Sequence, residues 1–154
     1  MKHVWLCGAS EKVSFEESNK WREESVKWFE DNSNCFRAWN PNSFYYYSEQ
    51  LHKSDTEIIR FCNNKVDQAD VILVNLQSIR QSVGSIMEIA WARFMRKPII
   101  GFLEDDQIEI GGGILPLDLK KECHSWITEC CDRIETGDGA MENALDYIET
   151  YYGE

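Results

Sequence analysis

Short apolar runs recur along this chain between longer stretches whose apolar residues are spaced by three and four. The runs are Val4-Trp5-Leu6-Cys7, Cys35 to Trp39, Val71 to Leu76 and Ile99 to Leu103. Each is strand length. Val71 to Leu76 is continuous and rich in branched residues, as expected for a strand buried on both faces. Gly8-Ala9-Ser10, Asn40-Pro41-Asn42 and Lys97-Pro98 punctuate the runs. A short fifth strand is expected near Cys130 to Ile134.

The intervening stretches predict helices. One runs from about Phe15 to Asp31, with Trp21, Trp28 and Phe29 at helical spacing. Ser54-Asp55-Thr56-Glu57 has the form of a capping box and opens a second helix that reaches Gln68. Ile58, Cys62, Val66 and Ala69 mark its inner face. A third helix is expected from about Ser85 to Arg96, and a last one from Met141 to Tyr152 with Leu145, Ile148 and Tyr152 on one face. The aromatic cluster Phe44-Tyr45-Tyr46-Tyr47 falls in a loop. Glu104 to Lys121 is acidic and then glycine-rich, and reads as a long loop, either a connector or a lid.

Strands alternating with helices imply one α/β domain spanning 1–154. The expected fold is a doubly wound, flavodoxin-like or Rossmann-like sheet of five mainly parallel strands. Such sheets bind ligands at the carboxyl ends of their strands, near the switch in strand order. That brings Gly8-Ala9-Ser10 beside the loop from Gln77 to Ser85.

Composition narrows the picture. The formal net charge is −11, so a nucleic-acid backbone would be repelled, while a small anion can still occupy a local donor-rich pocket. No apolar run is long enough to span a bilayer, and Val4 to Cys7 is too short for a signal-peptide core. A cytoplasmic protein that binds neither membrane nor nucleic acid is expected. The six cysteines form no CxxC pair. Cys7 and Cys62 read as buried thiols, and Cys123, His124, Cys130 and Cys131 match no common zinc spacing, so no metal is expected.

The richest stretch for chemistry is Ser82-Val83-Gly84-Ser85-Ile86-Met87-Glu88-Ile89-Ala90. Gly84 permits close backbone approach, and the open N–H groups of a helix start attract anions. Glu88 lies one turn into the helix, at the carboxyl end of the sheet. Ser85-x-x-Glu88 also has the form of a capping box, in which the glutamate would only hold the helix start. The loop matches neither a P-loop nor GxGxxG, which disfavours ATP and NAD.

Asp67-Gln68-Ala69-Asp70-Val71-Ile72-Leu73-Val74-Asn75-Leu76, the Ser82 to Ala92 stretch and Lys97-Pro98-Ile99-Ile100 together resemble the nucleoside 2-deoxyribosyltransferase family. The likeness is nearest to its small phage and bacterial members and to nucleoside 5′-monophosphate N-glycosidases. The strand ending at Gly8 and the tail Ala144-x-x-Tyr147-Ile148-x-x-Tyr151-Tyr152 fit as well.

The resemblance implies that Glu88 is a nucleophile that displaces the base and forms a glycosyl ester, resolved by water or a second base. Ser82 stands where free-nucleoside transferases carry aspartate and monophosphate hydrolases carry serine. A hydroxyl can donate to phosphate, and a carboxylate would repel it. Cys62 stands where the family carries an acid that protonates the leaving base; a thiol is a poor substitute.

The expected activity is therefore cleavage of a nucleoside 5′-monophosphate, with Gly8, Ser10, Ser82, Gly84 and Ser85 around the phosphate, Cys62 beside the base, and no cofactor. Base exchange and non-catalytic nucleotide binding are the alternatives. A small-molecule nucleotide or nucleoside is the expected ligand. A homodimer or higher homo-oligomer is the expected assembly, with Phe44 to Tyr47 and Tyr147 to Tyr152 as contact candidates. Asp70 reads as structural, and Trp5, Trp28 and Trp91 as core.

Overall fold

The computed structural model describes residues 1–44, 52–104, 107–110, 113–116, 119 and 123–154, with the backbone alone for 107–110 and 113–116. In chain order the elements are β1 (Lys2–Gly8), α1 (Phe15–Asn32), β2 (Phe36–Trp39), α2 (Asp55–Gln68), β3 (Val71–Asn75) and α3 (Val83–Phe94). They continue with β4 (Ile99–Leu103), β5 (Gln107–Ile110), β6 (Gly113–Pro116), α4 (Ser125–Cys130), β7 (Arg133–Thr136) and α5 (Ala140–Tyr152).

Five strands form one sheet in the order β2-β1-β3-β4-β7, and every pairing is parallel. This is the flavodoxin-like order, with its switch between β1 and β3. Side chains alternate across the sheet and feed two cores. Val4, Leu6, Leu73, Ile100 and Phe102 pack against Trp21 and Phe29 of α1 and Ala144, Leu145 and Ile148 of α5. Trp5, Cys7, Ile72, Val74 and Leu103 pack against Cys62 and Val66 of α2, Ile89 and Ala92 of α3, and Ile127 of α4. Among the described residues no helix is long and apolar enough to cross a membrane.

The helix starts have local causes. Ser14 and Glu17 form a complete capping box at α1. At α2 the Ser54 hydroxyl accepts from Glu57 N–H at 3.2 Å, while the Glu57 carboxylate reaches Lys53 N–H at 2.7 Å. Asp70, in the turn between α2 and β3, accepts from His3 N–H at 2.8 Å and ties the amino end of β1 to β3.

Three sequence expectations need correction. The last strand of the sheet lies at Arg133–Thr136 and not at Cys130–Ile134, because Cys130 still belongs to the short helix α4. The stretch expected to be a loop after Glu104 contains an antiparallel hairpin, β5 with β6, outside the main sheet. Its backbone pairing follows the polar–apolar alternation of Gln107-Ile108-Glu109-Ile110, a period-two signal. Helix α3 begins two residues before the expected Ser85 and ends at Phe94. Tyr45 to Tyr47 lie outside the described residues.

The carboxyl end of β1 is built around Arg22. This arginine is buried at 1% exposure on the inner face of α1. It donates to Leu6 O at 3.3 Å, to Gly8 O at 2.8 Å and to Ser18. Its guanidinium stacks 4.7 Å from the Trp21 ring. A Cβ on Gly8 would sit 2.8 Å from that ring and 3.3 Å from Asn75 Cβ, so only glycine fits here. Because Trp21 is also packed edge-on against Phe102, it has little room to move. Gly8→Ala should destabilise the fold by about 1–3 kcal/mol, as overpacking typically does. A denaturant midpoint equal to the native one would contradict this account of the strand end.

Candidate active site

Helix α3 starts with Ser82 as its N-cap residue, yet the Ser82 side chain makes no capping bond. Its hydroxyl donates instead to Ser85 Oγ at 2.7 Å, and both serines are buried. Since the helix already begins at Val83, Ser85 is not its cap, and the capping box with Glu88 does not form. This removes the structural role that the Ser85-x-x-Glu88 pattern offered.

Glu88 turns towards the sheet. Its carboxylate accepts from Trp5 Nε1 at 2.9 Å. The Cys7 and Cys62 thiols lie beside it and favour its charged form, and the Cys7 thiol donates to Ser85 O at 3.6 Å. Trp5 and Cys7 are two residues apart on β1 and so share one face; Cys62 comes from α2. The carboxylate is thus held between the central strand and two helices. Burial is the main effect on it and raises its pKa above the usual glutamate value. The Trp5 donor, the two thiols and the Arg22 charge oppose that rise without cancelling it. Burial likewise pushes the Cys7 thiol well up, reinforced by the neighbouring carboxylate.

The indole that meets this carboxylate belongs to an aromatic cluster. Phe44 stacks on Trp5 with ring centroids 6.4 Å apart, and Phe61 packs on Phe44 at 5.4 Å. The Lys65 ammonium lies 4.3, 4.9 and 5.7 Å from the ring centres of Trp39, Phe44 and Phe61. Cation–π attraction of this kind is favourable and grows as water is excluded.

The other sequence candidates gather unevenly. Gly84 is exposed and a Cβ there would meet nothing within 4 Å, so the space beside it is open. Gly8 is buried with its carbonyl engaged by Arg22. Ser10 Oγ lies 3.3 Å from Ser18 Oγ. Cys62 is buried among core residues and also lies beside Glu88.

Asn64 accepts from Gln68, and Asp67 accepts from Trp91 Nε1 at 2.7 Å; neither side chain is turned to Glu88. His124 caps α4 by accepting from Trp126 N–H. Among the described residues no group of three or more ligating side chains is placed to hold a metal ion.

The sequence did not show that Trp5 would hydrogen-bond to Glu88 or that the Arg22 charge would act on it. The alternation of β1 pairs Trp5 with Cys7, but only the topology reveals which helix that face meets. On the α1 side of the carboxyl edge a groove of about 340 Å³ is lined by Ala9, Lys20, Trp21, Asn75, Ser78 and Glu104. It lies at the β1–β3 switch, across the sheet from Glu88.

No known family profile and no curated protein matches the sequence. Solved structures do share its fold. The CMP N-glycosidase BcmB of Clostridium botulinum aligns over 97% of this chain and 99% of its own, at 18% identity and a TM-score of 0.57. A conserved protein of Enterococcus faecalis V583 aligns over 97% and 98%, at 14% identity and a TM-score of 0.65. A 3-dehydroquinate dehydratase-like protein of Bifidobacterium longum aligns over the full length of both chains, at 11% identity and a TM-score of 0.53. The chain shares with these proteins a flavodoxin-like α/β fold.

The raised pKa of Glu88 has a stability consequence. The folded state binds this proton more tightly than the unfolded state does. Its contribution is therefore complete below the ordinary value of 4.5 and is lost as pH rises through the folded value. Glu88→Gln keeps an acceptor for Trp5 and removes the buried charge. It should melt with the native protein near about pH 4 and above it near about pH 8. A variant less stable than native at the higher pH would mean that the carboxylate, not its burial, holds the site together.

Proposed function

We propose that this protein is an N-glycosidase of nucleoside 5′-monophosphates, with Glu88 as the nucleophile. The observation that carries the reading is the Glu88 carboxylate itself. It is half-buried, excluded from any capping role and pointed at the carboxyl end of β1 by the Trp5 indole. A carboxylate in a dry site suits attack on an anomeric carbon with oxocarbenium character. Attack by a Glu88 oxygen on C1′ gives a glycosyl ester, and water resolves it to sugar phosphate. The fold shared with a CMP N-glycosidase supports the same class.

The phosphate would lie at the start of α3, where open N–H groups and the helix dipole favour an anion. Ser82 and Ser85 would contribute there by exchanging their mutual hydrogen bond for bonds to phosphate. Gly84, with open space beside it, would allow close approach. Base exchange and non-catalytic binding remain distinct outcomes of one assay.

A panel of nucleotides read by chromatography should show free base and sugar phosphate. Glu88→Gln should retain binding and lose turnover by orders of magnitude, and turnover should rise with pH as Glu88 ionises. Full activity in Glu88→Gln would end the nucleophile assignment. Ser82→Asp should abolish any preference for monophosphates over free nucleosides; equal affinity for both in the native protein would argue against the phosphate role.

We also propose that the chain self-associates, most simply as a two-fold dimer. Val83, Met87 and Phe94 expose an apolar stripe along α3, at 63%, 49% and 75% exposure, beside the proposed phosphate site. Of the tail tyrosines, Tyr147 stacks on Tyr151, and Tyr151 is exposed while Tyr147 and Tyr152 are half-buried. Light scattering at micromolar concentration should give at least twice the chain mass; a single-chain mass would rule this out.

A further inference from the structure

Helix α3 ends in a complete Schellman arrangement. Lys97 N–H donates to Ala92 O at 2.9 Å, and Arg96 N–H donates to Arg93 O at 3.1 Å. Between these bonds Arg96 takes the left-handed backbone conformation, with φ of 57°. Glycine is the usual residue at that point of a helix end, because a Cβ there costs stability. A helix that needed only to stop would carry glycine. An arginine held in a costly conformation directs attention to what its side chain does.

Arg96 lines a cleft of about 480 Å³ together with Arg93, Lys97, Asp132 and Tyr152, at the amino ends of β4 and β7. Three cations border this space against one carboxylate. That carboxylate is engaged: one Asp132 oxygen accepts from Ile99 N–H at 2.9 Å, and the other lies 3.8 Å from Arg93. Lys97 donates to Asp67 O at 2.7 Å. Arg96 has no ion-pair partner among the described residues. The helix dipole favours cations at this end, and Arg93 and Lys97 already serve it. It does not account for arginine at the position that suits glycine.

We propose that this cleft binds a diphosphate group between the Arg93 and Arg96 guanidinia, with the Lys97 ammonium beside them. Each guanidinium presents a planar fork that matches two phosphoryl oxygens, and a diphosphate has oxygens enough for both forks. A single phosphate would fill only part of a cavity of this size. The negative end of α3 works against an anion here. The carbonyls of Ala92 and Arg93 are already engaged, however, and three cations outweigh a dipole end of about half a charge. The net charge of −11 also opposes an anion from a distance. Salt screens that repulsion beyond about 8 Å, whereas the guanidinium contacts act at close range. The cleft lies at the far end of α3 from Ser82 and Ser85, so its occupancy is independent of the N-glycosidase reading.

Calorimetric titration of the intact protein with pyrophosphate in metal-free buffer tests this. Pyrophosphate should bind, and inorganic phosphate should bind at least about tenfold more weakly, the loss expected for one hydrogen-bonded contact between charged groups. Arg96→Gly should weaken pyrophosphate by at least about tenfold. It should also melt at a higher temperature than the native protein, because the backbone strain is relieved. Asp132→Asn keeps an acceptor for Ile99 N–H and removes the opposing charge, so it should bind pyrophosphate more tightly. A nucleoside diphosphate separates two sources of the same group. Affinity equal to or below that of pyrophosphate assigns the cleft to the free diphosphate; higher affinity that is lost in Arg96→Gly assigns it to the nucleotide. No binding of either probe overturns the proposal. Native-like pyrophosphate binding in Arg96→Gly overturns it too, since the anion would then sit elsewhere. A lower melting temperature in that variant would make the arginine a structural residue and would equally overturn it.

Discussion

Pairing β1 between β2 and β3 constrains everything else in the molecule. A strand paired on both edges and covered on both faces has no contact with water along its middle, so each of its side chains must be accommodated by a helix. Val4 and Leu6 go to the α1 side, Trp5 and Cys7 to the α2–α3 side. The strand also has to end, and its last carbonyls need donors. Arg22 supplies them to Leu6 and Gly8 from within the core, and its stacking on Trp21 fixes the wall that makes Gly8 obligatory. The same strand thus carries, on its other face, the indole that aims Glu88.

A carboxylate in that position has opposing forces on it. Removal from water disfavours its charge. A hydrogen bond to an ionised group returns about 1.5–3 kcal/mol, and the Trp5 indole supplies one. Desolvation therefore dominates. The result is a basic, poorly solvated oxygen at the sheet's carboxyl edge. Such a group is costly in a purely structural setting.

Much of the fold was legible because its strands are short branched-apolar runs separated by clear helical spacing. The misreadings have physical causes. Cys130 and Cys131 lie in an apolar neighbourhood that reads as strand, yet local hydrogen bonding closes a helix through Cys130 before β7 begins. The alternation in Gln107 to Ile110 was outweighed by the acidic and glycine-rich composition around it. At α3 the sequence offers serine at both 82 and 85, and pattern alone does not say which begins the helix. That single ambiguity decides whether Glu88 is a cap or a site residue. Trp5 and Arg22 were illegible for a deeper reason. A tryptophan in a strand and an arginine in a helix acquire their roles from what the tertiary fold sets opposite them.

The sheet's outer strands bear on what the protein does at high concentration. An unpaired strand edge is a template for another chain. Here both outer strands, β2 and β7, are only four residues long. β7 carries Arg133 and Glu135 in mutual contact, and Arg133 also lies 4.5 Å from the Tyr147 ring. An incoming strand would have to disrupt that ionic and aromatic cover for very few backbone bonds. Runaway fibrous stacking through the sheet is thereby discouraged, so the sheet contributes little to any tendency of the protein to clump as it becomes concentrated.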